Sequence, residues 1–339
     1  MSSKSRQYFS NDNISSIFLT TALVMISTEV TAVIAVLIDG IIASQLLGED
    51  VYAGISLLRP FISMLLVLAG FLSTGCTAVC SKLVTQGRRD EANGVFHLAT
   101  LLALAGSVAS ILFCLLFPSL VLRLCGVPLD RSSELVPYMY EYLHGYLTGI
   151  APLLLIQVAG PILVIDGDRR IFTVSSIVLC ASDIIGDLLN VFVFHKGAFG
   201  MGIATSIGYI MQFLVILFAF IFRKGYFQLS LRRFNLSCLK DLAEYGIPTL
   251  LKSIAETLRD VLLNYINIIV AISFIAVAAR GIQSDISQLL LCIPIGLGGT
   301  LNTMASVYYS AKDRIGLQRP GGRSPVYLFY PMDVRGAGV

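Results

Sequence analysis

The chain contains eight long apolar stretches, and these limit what it can fold into. A helix that crosses a bilayer needs about 20 mostly apolar residues, and one of the stretches, residues 60–81, contains no charged residue. Only 13% of the 339 residues are charged, and 56% are hydrophobic. Soluble domains carry roughly a quarter charged residues, so this chain has too few charges to cover a water-facing surface of its size. The sequence therefore predicts an integral membrane protein.

Each stretch is predicted to be a helix, because backbone polar groups in lipid must be satisfied within the segment. The fold expected is all-α, with about eight transmembrane helices. The predicted spans are residues 14–46, 60–81, 95–118, 137–165, 171–194, 198–222, 245–270 and 286–310.

The distribution of Lys and Arg predicts that both termini lie in the cytoplasm, since cytoplasmic loops carry the excess of these residues. Only five fall near the outer ends of the spans: Arg59, Arg123, Arg131, Lys196 and Arg280. Fourteen lie in the N-terminus, in the inner loops and just after the last span: Lys4, Arg6, Lys82, Arg88, Arg89, Arg169, Arg170, Arg223, Lys224, Arg232, Arg233, Lys240, Lys312 and Arg314. A plasma membrane location, in a bacterial inner or cell membrane, is expected.

The first two and last two spans resemble each other, which indicates an internal repeat. Glu29 precedes Gly54 by the same 25 residues that separate Glu256 from Gly281. Duplicated halves are frequent in secondary transporters. The predicted organisation is a cytoplasmic N-terminus (1–13), a first lobe of six helices (14–222), a basic cytoplasmic linker (223–244), a partial second lobe of two helices (245–314), and a disordered tail of different composition (315–339).

The sequence lacks the usual signatures of an enzyme or of a structural metal site. Its seven cysteines are scattered, and none of its three histidines pairs with a cysteine at a zinc-binding spacing. No nucleophile–base pair or phosphate-binding loop is recognisable. We therefore expect neither catalysis nor an organic cofactor, and no nucleic-acid partner.

Acidic residues inside the predicted spans are the main functional candidates, because a charge at the bilayer centre costs about 2.5–3.5 kcal/mol on insertion scales. Asp39 lies in span one, and Asp183 and Asp187 share one helix face at i,i+4 in span five. Asn190 continues that face, and Thr205 lies in span six. These oxygens suit a proton or Na⁺, although Asp39 could lie at the hydrated interface. Asn190 and Thr205 could instead hydrogen-bond between helices.

Two further acids are secondary candidates. Glu29 could bind a cation or simply face an internal cavity. Glu256 is close in sequence to Lys252 and Arg259, so an ion pair within its helix is an alternative to a functional role.

Four stretches resemble the multidrug and toxic compound extrusion (MATE) transporters. They are LIDGIIASQLLGEDVYAGISL (37–57), KLVTQGRRDEAN (82–93), DGDRR (166–170) and KGAFGMGIATSIGY (196–209). The resemblance extends over almost all of residues 14–314 and implies two six-helix lobes, of which this chain holds the first and two helices of the second. The expectation is therefore a C-terminally truncated member of the family.

The resemblance also implies a function, the export of cationic amphipathic compounds driven by H⁺ or Na⁺ entry. Asp39, Asp187 and Thr205 match the family's first-lobe cation site, and Asp183 stands where an Asn is usual. The extra acid favours proton retention. Glu256 matches a helix-seven Glu that some members use in the second lobe. A lipid-linked flippase and a non-transporting fragment or partner subunit remain alternatives.

Overall fold

The computed structural model describes residues 14–127, 134–223, 225–227, 238–270 and 274–310. The predicted N-terminal segment 1–13, the tail 315–339 and half of the linker, 224 and 228–237, lie outside the described residues. Eleven α-helices form the described part of the chain: α1 Ile14–Ile42, α2 Glu49–Leu57, α3 Arg59–Thr85, α4 Arg89–Leu116, α5 Pro118–Leu124, α6 Val136–Tyr146, α7 Ile150–Ile165, α8 Arg169–Leu189, α9 Gly197–Phe222, α10 Leu239–Val270 and α11 Phe274–Ser310.

The all-α membrane fold expected from the sequence is confirmed. Several helices join into longer segments, because α1 and α8 each end in a π-helical turn and a 3₁₀ turn links α6 to α7. Within the described residues, seven segments are long and apolar enough to cross a membrane: Phe18–Leu47, Glu49–Thr85, Arg89–Leu116, Val136–Ile165, Arg169–Phe194, Gly197–Phe222 and Ala279–Leu301. The chain is thus a multi-pass membrane protein.

The remaining predicted span, 245–270, lies in α10, which differs from the other long helices in its charges. With 32 residues α10 is about 48 Å long, enough to cross a bilayer. It carries Lys252, Glu256, Arg259 and Asp260 within nine positions, however, and so does not count among the seven apolar segments. The predicted number of about eight spans therefore holds only if α10 crosses despite this cluster.

The last two helices pack on the first two long ones in a crossed arrangement. α10 runs along α3, and α11 runs along α1. A Cβ built on Gly75 of α3 would lie 2.2 Å from the carbonyl oxygen of Leu242 in α10, so the two backbones touch there. In the predicted repeat α1 corresponds to α10, and α3 corresponds to α11. A two-fold rotation that exchanges the two copies would then turn the α10–α3 contact into the α1–α11 contact. The packing is what the predicted repeat would produce, and the repeat itself remains a prediction.

Hydrogen bonds fasten the chain after α9 to the end of the bundle that carries most Lys and Arg. Arg89 donates to the carbonyl oxygens of Gly225, at 2.7 Å, and Tyr226, at 2.8 Å, and its guanidinium lies over the Tyr226 ring. The Tyr226 backbone N–H donates to the Asp166 carboxylate at 2.8 Å. Burial raises the pKa of Asp166. These contacts connect the turns before α4 and α8, where the family-like stretches 82–93 and 166–170 lie.

Candidate functional site

Three carboxyl groups meet where α1 and α8 pack together. One carboxylate oxygen from each of Asp39, Asp183 and Asp187 lies within 4.8 Å of the others. Asp183 is 3% exposed and Asp187 is fully buried, whereas Asp39 is partly buried. The i,i+4 spacing on α8 and the intramembrane acid on α1 thus lead to one cluster. We refer to these three residues as the acidic cluster.

The acidic cluster is poorly satisfied by the surrounding protein. Buried oxygens without a hydrogen-bond partner among the described residues are Oδ1 of Asp39, Oδ1 of Asp183, and both oxygens of Asp187. An ionised carboxylate that is buried and unpaired costs several kcal/mol, and neighbouring negative charges add repulsion. The arrangement is therefore suited to binding a positively charged species, either a proton or a metal cation with oxygen ligands.

Small residues on α9 let that helix approach the acidic cluster closely. A Cβ on Gly208 would lie 3.3 Å from the Asp183 Cβ, and one on Gly186 would lie 2.8 Å from the Ala204 Cβ. Nearer the start of α9, a Cβ on Gly202 would lie 2.4 Å from the carbonyl oxygen of Tyr142 in α6. The glycines of the stretch 196–209 therefore bring α6, α8 and α9 together around the acids.

A cavity of about 440 Å³ adjoins the acidic cluster and lies between the first-lobe helices and α10 and α11. This volume is in the range of small-molecule sites, which is roughly 300–1,000 Å³. Asp39 and Asp183 line the cavity, whereas Asp187 does not. The cluster therefore has two members facing the cavity and one buried behind them.

Three tyrosines form an aromatic wall of the cavity. The Tyr142 and Tyr146 rings stack with centroids 5.8 Å apart, and Tyr209 meets Tyr146 edge-on at 6.0 Å. Aromatic faces attract organic cations, with the strongest effect where water is excluded. These tyrosines were not predicted from the sequence, although the i,i+4 spacing of Tyr142 and Tyr146 on α6 was a usable signal.

The charged residues of the cavity wall are predominantly acidic. Four acids and two arginines line it: Glu29, Asp39, Asp183, Asp260, Arg59 and Arg280. Arg59 pairs with the buried Asp285 and Asp260 pairs with Arg259, which leaves three acids and Arg280 without an ion-pair partner among the described residues. The lining therefore favours a cationic over an anionic occupant.

Thr205 and Asn190 have different positions relative to the acidic cluster. Thr205 lines the cavity and interacts with the Asp183 carboxyl, while its hydroxyl also donates to the carbonyl oxygen of Met201 at 3.2 Å. The Asn190 amide donates to the carbonyl oxygen of Gly197 at 2.9 Å and accepts from the Lys196 N–H at 3.1 Å. Asn190 thus holds the turn between α8 and α9 and does not reach the cavity.

The two secondary candidates lie apart from the acidic cluster. Glu29 lines the cavity ten residues before Asp39, about 15 Å away along α1. Glu256 is exposed, and its carboxylate lies 3.6 Å from the Lys252 Nζ. The ion pair that the sequence offered as the alternative for Glu256 is therefore present.

One family model matches about half of the chain. Residues 25–192 match the MatE family, and this region contains all three members of the acidic cluster. The comparison with curated proteins found no match.

Solved structures of transporters share the fold. The chain is similar to the MATE multidrug transporter DinF-BH in complex with R6G, with 22% identity and a TM-score of 0.82 over 89% of this chain and 67% of that one. It is also similar to an outward-facing MATE family transporter of the MOP superfamily, at 20% identity and a TM-score of 0.77, covering 92% of this chain and 67% of that one. An inward-facing MATE family transporter is similar at 20% identity and a TM-score of 0.71, covering 91% of this chain and 69% of that one.

Proposed function

Since the chain belongs to the MatE family, we propose that it is an antiporter that exports cationic amphipathic compounds in exchange for H⁺ or Na⁺. The observation that carries this proposal is the acidic cluster, in which three carboxyls meet within 4.8 Å beside a cavity and leave buried oxygens unpaired. Such a cluster can be neutralised by the coupling ion. The proposal places the protein in a plasma membrane and makes it a transporter, not an enzyme.

The proposed mechanism is competition between the coupling ion and the organic substrate. A cation in the cavity is attracted by Asp39 and Asp183 and can stack on the tyrosine wall. Its positive charge weakens the affinity of the cluster for H⁺ or Na⁺, and by linkage the bound ion weakens the affinity for the substrate by the same factor. Alternation between two access states then converts ion entry into substrate export.

Asp187 has a distinct place in this mechanism. It is fully buried and does not line the cavity, so an organic cation cannot reach it directly. A proton or a small metal ion can be shared between Asp187 and the two acids in front of it. We therefore assign ion storage to Asp187, and assign to Asp39 and Asp183 the contact with both ion and substrate.

The test is a linkage measurement on the purified protein with ethidium as the cationic probe. Ethidium binding should release protons into a weakly buffered solution, or its affinity should fall as Na⁺ is added. The expected change in affinity is about 5- to 150-fold, the usual range of coupling between two sites. Asp39→Asn and Asp187→Asn should remove the effect, whereas Glu134→Gln, at an exposed carboxyl, should retain it. Ethidium binding that is indifferent to both pH and Na⁺ would refute the proposal.

Of the two alternatives, the flippase receives less support, because the acidic cavity wall is unfavourable for the phosphates of a lipid-linked substrate. The partner-subunit alternative rests on α10. Lys252, Glu256 and Arg259 are exposed on this helix, and charged side chains within a membrane normally face protein or water. In that alternative, a further membrane protein covers the charged face of α10, and the chain does not transport alone.

A further inference from the structure

An ion pair between a partly exposed guanidinium and a buried carboxylate joins the first-lobe helices to the last described helix, outside the acidic cluster. Arg59, the first residue of α3, forms two hydrogen bonds with the Asp285 carboxylate in α11, and the one from Nη2 to Oδ2 is 2.9 Å long. The Tyr52 hydroxyl of α2 donates to the same Oδ2 at 3.0 Å. Asp285 is 3% exposed. We call Tyr52, Arg59 and Asp285 the outer latch.

The outer latch lies at one end of the cavity. Tyr52 and Arg59 line it, and so does Gly281, one helical turn before Asp285. Because α3 begins at Arg59 and ends near the basic turn at Arg89, the latch lies at the end that the Lys and Arg distribution assigns to the outside.

A second contact supports closure at this end. The Asn264 amide of α10 donates to two backbone carbonyl oxygens, those of Leu57 at 3.1 Å and Cys125 at 3.0 Å. Both last helices are therefore tied by polar bonds to the outer ends of first-lobe helices. Arg59 lies on the first-lobe side of the cavity and Asp285 on α11. An outward opening that separates α11 from the first lobe therefore has to break the ion pair between them.

The outer latch also packs against the turn of α1 that carries Asp39 of the acidic cluster. Gly40 follows Asp39 directly, and a Cβ on Gly40 would lie 3.2 Å from the Tyr52 ring and 3.5 Å from Oδ2 of Asp285. A change in the position of Asp39 therefore moves backbone that is packed against the latch. This contact gives a short mechanical route from ion occupancy to the outer end of the cavity.

We propose that Tyr52, Arg59 and Asp285 are positioning residues that hold the cavity closed toward the outside, and that they release when it opens outward. Removing one partner of a buried ion pair strongly destabilises the state that contains it. Loss of Arg59 or Asp285 should therefore shift the protein toward the outward-open state. This role of the outer latch rests on one part of the proposed function, namely that the cavity is the substrate site.

Accessibility labelling tests the outer latch without requiring transport. Ser63 lines the cavity four residues inward from Arg59 and is the labelling position, as Ser63→Cys. A membrane-impermeant maleimide is applied to the outer face of right-side-out vesicles, and labelling of the protein without this substitution is subtracted. Arg59→Gln or Asp285→Asn, combined with Ser63→Cys, should label about tenfold faster, since loss of one partner destabilises the closed state.

Three further variants make the result decisive. The charge exchange Arg59→Asp with Asp285→Arg should return labelling toward the slow rate, and it also controls for misfolding. Tyr52→Phe, which removes one hydrogen bond and keeps the ring, should label at an intermediate rate. Arg88→Gln breaks an exposed ion pair with Glu91 at the opposite end and should have no effect. Unchanged labelling in Arg59→Gln, Asp285→Asn and Tyr52→Phe, or an exchange variant as fast as the single variants, would overturn the proposal.

Discussion

At the scale of one residue, the role proposed for Asp187 in ion binding conflicts with the stability of the fold. Its carboxyl is fully buried, and neither of its oxygens has a hydrogen-bond partner among the described residues. A group left unsatisfied in this way costs about 1–3 kcal/mol, and more when it is charged. A protein selected for stability alone would not keep such a residue, so its presence supports a role in binding a cation.

We expect Asp187→Asn to stabilise the protein while abolishing its response to the coupling ion. The amide has nearly the same shape, cannot ionise, and can donate hydrogen bonds to the neighbouring acids. The free energy of unfolding should rise by about 1–3 kcal/mol, and more at high than at low pH. Thermal unfolding of the purified protein measures this. Glu244→Gln, at an exposed position, should change stability by less than about 0.5 kcal/mol. A destabilised Asp187→Asn variant would contradict the account.

The residues of the acidic cluster could be predicted because two simple arguments coincide there. Acids are costly in the membrane, and the i,i+4 spacing on α8 puts Asp183 and Asp187 on one face. The same reasoning placed Asn190 with these acids. It could not predict that the Asn190 side chain bonds to Lys196 and Gly197, because those contacts depend on the path of the chain after α8.

At the scale of helices, close packing between α6 and α9 depends on glycine. The Gly202 Cα faces the Tyr142 backbone so closely that an added Cβ would lie 2.4 Å from its carbonyl oxygen, which real Cβ atoms do not approach. Tyr142 stands on the cavity wall, so the spacing of these two helices also sets the shape of the cavity. Tyrosine is common at membrane interfaces, and its identity alone therefore gave no indication of the wall.

We predict that Gly202→Ala separates α6 from α9. The free energy of unfolding should fall by about 1–3 kcal/mol, as for other overpacked sites, and the affinity for ethidium should fall with it. The matched control is Gly298→Ala in α11, where a Cβ meets nothing within 4 Å. Because alanine favours helix over glycine by about 1 kcal/mol, the control should be neutral or slightly stabilised. Equal effects of the two substitutions on stability and binding would show that the α6–α9 contact is not tight.

At the scale of the whole molecule, hydropathy indicated a multi-pass helical architecture but did not decide whether α10 crosses the membrane. Seven apolar segments could be recognised from their residues alone. The span at 245–270 was predicted too, but its residues could not decide whether it crosses the membrane, because four charges interrupt it; its packing along α3 gives α10 a place in the bundle. The outer latch was also beyond prediction, since Arg59 and Asp285 are 226 residues apart in sequence. Pairing at that distance depends on how α11 docks.

Coupled transport by the 339-residue chain is the central claim, and one reconstitution measures it. Liposomes that contain the purified protein are loaded with ethidium, and the outside is made either acidic or rich in Na⁺. One of these two gradients should accelerate ethidium efflux, and Asp39→Asn and Asp187→Asn should each abolish the acceleration. Efflux that ignores both gradients, or persists unchanged in the two variants, would contradict the account, and a complete absence of efflux would favour the partner-subunit alternative.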